Sequence, residues 1–145
     1  MNTMNFAKLM GAIYILAGVM GFVPALVSPG DFGMDVVATM GYGYLLGLFP
    51  INVLHNVVHM AIGSWGWVAS KSMTRSLTFA RSLAIFYGAL AVMGLIPGLN
   101  TVFGLIPIFG HDVWLHAGTA ALAAYFGSGS HQAIVIEEGR ERRVA

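Results

Sequence analysis

The sequence predicts an all-α fold: an integral membrane four-helix bundle built from two tandem helical hairpins. Three observations carry that expectation. Apolar residues make up 57 % of the 145 residues and charged residues only 9 %, where a soluble domain holds about 25 % charged residues. Four apolar stretches each approach the roughly 20 residues a helix needs to cross a ~30 Å hydrocarbon core. The second half of the chain repeats the first. A mean hydropathy of +0.77 agrees with a bilayer protein. The length allows one domain, 1–145. A net charge of +1 is too small for a nucleic-acid footprint. With no cysteine there is no disulfide framework, thiolate metal site or Cys nucleophile.

The first stretch runs from about Phe6 to Val27, the second from about Ile51 to Ser70 and the third from about Leu77 to Ile96. The fourth starts between Pro107 and Val113 and runs to Gly127. Backbone groups in lipid must be satisfied within their own segment, so runs of this kind read as helices. Lys8, Lys71, Arg75, Arg81, Arg140, Arg142 and Arg143 all fall on one side of a four-span arrangement, opposite Asp31, Asp35 and Asp112. The positive-inside rule then places both termini in the cytoplasm. A cleaved signal peptide ending near Ala25-Leu26-Val27-Ser28 is disfavoured, because the apolar run is too long and no A-x-A site follows it.

The repeat has two offsets. Ala7-Lys8, Tyr14 and Val19-Met20-Gly21-Phe22-Val23-Pro24 match Ala80-Arg81, Tyr87 and Val92-Met93-Gly94-Leu95-Ile96-Pro97 at an offset of 73. Gly47-Leu48-Phe49-Pro50-Ile51 and His59 match Gly104-Leu105-Ile106-Pro107-Ile108 and His116 at an offset of 57. The difference places a 16-residue insertion between Pro24 and Gly47. Repeat one covers about 6–70 and repeat two about 77–127, followed by a flexible cytoplasmic tail, 128–145. Two hairpins entering in the same sense predict a pseudo-two-fold axis along the membrane normal. Helix contact is expected at the small-residue ridges Ala17-xxx-Gly21, Ala84-xxx-Gly88 and Ala120-xxx-Ala124. Pro50 and Pro107 suit the first turn of their helices. The inserted Val36–Tyr42 segment reads as a short interfacial helix or partner surface.

Four of the five histidines form two local clusters, His55/His59 and His111/His116, with His131 in the tail. His55 and His59 share a helix face with Asn52 and Asn56. The repeat puts His59 and His116 at one depth, where ionisable side chains face a bundle interior. Asp112 precedes His116 by one helical turn; it caps the helix or accepts His116 Nδ1–H and leaves Nε2 free. Three readings follow. His59, His116, Asn56 and the two tyrosines form an internal hydrogen-bonded network; or His59 and His116 hold haem, chlorophyll or another tetrapyrrole, with His55, Asn56 and Asp112 around them; or Zn2+ or copper is held by three imidazoles with Asp112, drawn from His55, His59, His111 and His116.

Asn52-Val53-Leu54-His55-Asn56-Val57-Val58-His59 with Gly63, followed by Asp112-Val113-Trp114-Leu115-His116, resembles a family of small bacterial membrane proteins, domain of unknown function 4383. The resemblance spans about Phe6 to Gly127 and implies four helices, with interest in His55, His59 and His116, but no reaction. The chain carries Val113 where that family commonly has Asn. The function expected is a non-enzymatic integral membrane protein with no catalytic residues. It would be an accessory or assembly subunit of a larger membrane complex, or a homo-oligomer. Tetrapyrrole binding and an ion or proton conduit are the alternatives.

Overall fold

The computed structural model describes residues 1–30 and 36–128. Four helices dominate it: α1 (Thr3–Met20), α2 (Val53–Ala69), α3 (Met73–Gly94) and α4 (His111–Gly127). α1 and α3 are long and apolar enough to cross a membrane. α2 and α4 have 17 residues each, a rise of about 25 Å. α2 starts two residues later than its apolar run, and α4 starts at His111, inside the expected window. Pro50 and Pro107 do not open a helical turn; each lies in an extended lead-in three or more residues upstream. For α2 the physical reason is Asn52, whose side chain accepts the His55 backbone N–H at 2.8 Å and so sets the first turn.

The fold is not purely α. β1 (Val27–Ser28), β2 (Gly43–Leu45) and β3 (Phe49–Ile51) form a small antiparallel sheet in the order β1-β2-β3. Val27 pairs with Leu45, and Gly43 with Ile51. A Cβ at Gly43 would sit 2.8 Å from the Ser28 carbonyl oxygen, so only glycine lets these strands close. The helix expected over Val36–Tyr42 does not form. That segment is irregular, and the Val37 and Ala38 N–H groups donate to the Gly104 carbonyl at 2.8 and 3.2 Å. The anchor lies in the other hairpin's loop, beyond the reach of local pattern. Residues 31–35 and the tail beyond Ser128, with His131, lie outside the described residues.

α1 packs antiparallel on α2, and α3 on α4. The broadest contact between hairpins is α1 against α3. Gly21, Ala84, Gly88 and Ala120 do lie at or beside interfaces, whereas Ala124 is exposed. Helices α1 and α2 also approach closely at glycines outside those ridges. A Cβ at Gly11 would lie 2.7 Å from Trp67 N and 2.9 Å from Gly63 O, and one at Gly63 would lie 2.7 Å from Gly11 O. Backbone meets backbone there, as only residues without a side chain permit.

Burial follows the two offsets. Thr3, Phe6, Ala7, Met10, Tyr14 and Gly18 are buried in α1, and Ser76, Phe79, Ala80, Leu83, Tyr87 and Ala91 in α3. His55, Asn56, His59, Gly66 and Ala69 are buried in α2, and Asp112, Val113, His116, Ala123 and Phe126 in α4. One hydrogen bond also recurs between hairpins. Thr3 Oγ1 donates to the Phe126 carbonyl and Ser76 Oγ to the Ala69 carbonyl, both at 3.0 Å. At this end Phe6 stacks on Phe126, ring centroids 4.6 Å apart, in an apolar core with Phe79, Leu83 and Ala123.

Candidate histidine–aspartate site

The polar centre lies toward the opposite end, where the second turn of α2 meets the first two turns of α4. Asn52, 0 % exposed, holds the frame. Besides capping α2, its Nδ2 donates to the Ala38 carbonyl at 2.9 Å and the Leu105 carbonyl at 2.7 Å. One side chain thus ties the insertion, the α3–α4 loop and the helix carrying His55 and His59. The sequence reading placed Asn52 on a polar face and missed this role. Its signal was Asn at the residue before an apolar helical run.

His55, His59 and His116 converge. One ring nitrogen of each lies within 4.8 Å of the others, and all three side chains are buried. The His55 and His59 rings are 4.4 Å apart by centroid, and His55 and His116 are 6.4 Å apart. Tyr14 packs on His59 at 5.3 Å and Tyr87 on His116 at 5.0 Å, while the two tyrosines meet at 5.3 Å. Tyr14 Oη donates to Thr119 Oγ1 at 3.3 Å. His111 is exposed at the start of α4 and does not join the group, because a helix turns it to another face than His116.

Asp112 does not cap α4. The N-cap of α4 is Gly110, at φ 65°, with no side-chain cap bond. Asp112, 1 % exposed, turns inward instead, with Oδ2 3.5 Å from His116 Nε2 and 4.0 Å from His55 Nε2. The nitrogen of His116 facing the carboxylate is therefore Nε2, not Nδ1. By the offset of 57, Asp112 occupies in hairpin two the place of His55 in hairpin one. Val113 likewise takes the place of Asn56, and each packs on a glycine ending the preceding helix, Gly94 and Gly21.

The expected internal network is incomplete. His116 Nδ1, Asp112 Oδ2 and both polar atoms of Asn56 are buried without a hydrogen-bond partner. Each such atom costs about 1–3 kcal/mol when left unsatisfied. A cavity of about 60 Å3 borders His55, His59, Tyr87 and His116. The backbone turn closing that cavity is strained: Val102 at φ 47° and Phe103 at φ 58° are in the left-handed region, unusual for a β-branched residue. Chemically, three imidazoles and a carboxylate can ligate a metal ion or pass protons among themselves.

Two matched helical hairpins enclosing a histidine–aspartate cluster define the class of protein. The chain belongs to the family described as Domain of unknown function (DUF4383), whose sequence model matches residues 4–128. That range takes in all four helices but for Thr3, and the whole cluster. No curated protein and no solved structure matches the chain.

Proposed function

We propose that this chain is a non-enzymatic, four-span integral membrane protein with both termini cytoplasmic, acting as an accessory subunit or homo-oligomer. The observation that carries the reading is an inside-out distribution of side chains. Leu16, Ile85, Val92 and Leu122 are all more than half exposed, while His55, Asn56, Asp112, His116 and Ser76 are buried. Water would penalise such a surface, and lipid would not. The short α2 and α4 gain length from the lead-ins through Pro50 and Pro107, whose buried backbone is tolerable at membrane depth only against protein. Lys8, Lys71, Arg75 and Arg81 gather at one end of the bundle, in support of the orientation. The matched burial at offsets of 73 and 57 supports an ancestral duplicated hairpin.

For a partner-binding role, the supporting feature is at the other end. Val37, Met40, Phe103 and Trp114 are each at least 70 % exposed, and the Val37 backbone bonds to Gly104 beside Phe103. A tetrapyrrole has less support, since cofactor pockets run to about 300–1,000 Å3 and the cavity at the histidines is about 60 Å3. A conduit also has less, because Phe6, Phe79, Leu83 and Phe126 close the axis below the polar centre. The absence of native cysteine allows a direct test. In intact cells an impermeant thiol reagent should label Thr39→Cys and spare Lys71→Cys until the membrane is opened. Equal labelling of both would overturn the topology, and a bare monomer in mild detergent with no co-purifying chain would overturn the partner role.

A further inference from the structure

We propose that His55, His59 and His116 bind one Zn2+ ion, with Asp112 accepting hydrogen bonds from the imidazole nitrogens that face away from it. The three buried ligand atoms already lie within 4.8 Å of one another. Tetrahedral Zn–N bonds of about 2.0–2.1 Å hold such nitrogens about 3.3–3.4 Å apart.

Hydrogen bonding supplies an independent observation. Nε2 of His55 and of His116 lies 4.0 and 3.5 Å from Asp112 Oδ2, which makes no hydrogen bond as it stands, and Nδ1 of His116 is buried and unpartnered. A neutral imidazole donating from Nε2 presents a lone pair at Nδ1. That is the carboxylate–histidine–metal arrangement, in which the carboxylate orients the ring and raises its basicity. The adjoining cavity of about 60 Å3 leaves room for an ion and a bound water.

The donor set narrows the metal. Imidazole suits Zn2+ and its neighbours Cu2+ and Ni2+, whereas Mg2+ and Ca2+ take oxygen ligands and Cu+ takes sulfur, and the chain has no cysteine. Three protein ligands leave a fourth position for water. The ion would also bind the hairpins together. His55 and His59 are on α2 and His116 is on α4, and these two helices are not among the pairs in broad contact.

The test uses the full-length protein in mild detergent, without a histidine tag, titrated with ZnCl2 against a chelating dye. One Zn2+ per chain is expected, retained in His111→Ala, lost in His116→Ala and weakened about 10–100-fold in Asp112→Asn. X-ray absorption of the wild-type protein with one equivalent of Zn2+ requires no variant and should show imidazole scattering. No binding by the wild type, undiminished binding by His116→Ala, or a coordination shell without imidazole would each overturn the proposal.

Discussion

Hairpin α1–α2 and hairpin α3–α4 bury matching positions but fill them with different side chains. Where α1 and α2 touch through Gly11 and Gly63, the matched places in α3 and α4 carry Ala84 and Ala120. Where α2 presents His55 and Asn56 inward, α4 presents Asp112 and Val113. His59 and His116, with Tyr14 and Tyr87 against them, are the same in both. The scaffold is therefore close to symmetric and the site is not. A strictly two-fold cluster would hold four imidazoles or two carboxylates. The difference at one matched position, His55 against Asp112, instead leaves three imidazoles and a single carboxylate near two of them.

That comparison can be broken at the helix contacts. Gly11→Ala places a methyl group against the backbone of Gly63 and Trp67, so neither neighbour can yield by a side-chain rotation. A loss of at least about 3 kcal/mol is expected, the upper part of the overpacking range, read as the unfolding midpoint in detergent. A shift no larger than that of a surface substitution would show that the hairpins tolerate the same spacing. Next in size is Asn52→Ala. It removes the α2 cap and leaves the Ala38 and Leu105 carbonyls without their donor. We expect a loss of about 2–3 kcal/mol, together with proteolytic sensitivity of the insertion. Hairpin two has no equivalent, since its α4 cap is Gly110 without a side chain. The smallest effect belongs to Ala84→Gly, the mirror of the first change. With the Cβ removed from a partly buried helix position, about 0.5–1 kcal/mol is expected from chain entropy alone. A loss as large as that of Gly11→Ala would mean that hairpin two packs as tightly as hairpin one.

Much of the helical architecture was legible because a helix declares itself locally. Tyr14 and Tyr87, and His59 and His116, could be paired by counting residues, and their burial follows the counted offsets. The departures have one cause in common, contact between segments distant in sequence. Val36–Tyr42 reads as a helix in isolation, yet two of its N–H groups are taken by Gly104. Gly43 admits a strand pairing that no local period announces. Gly11 and Gly18 share a face with Gly21 at helical spacing, so the sequence does carry a signal for this contact beyond Ala17-xxx-Gly21. At the site, the i, i+4 pairs His55/His59 and Asp112/His116 were readable. The exclusion of His111, the inward turn of Asp112 and the nitrogen it faces were not.

By itself, then, the sequence determined the apolar class of the chain, its four helices, the two offsets and the common depth of His59 and His116. These follow from composition and periodicity, which act within a few residues. Only the tertiary structure decided that His55 joins that pair, that Asp112 serves both hairpins, and that Asn52 and Gly104 hold the loops above them. Each of those depends on where a second segment lies, and a hydrogen bond or a ligand shell forms only when both segments arrive at the same point.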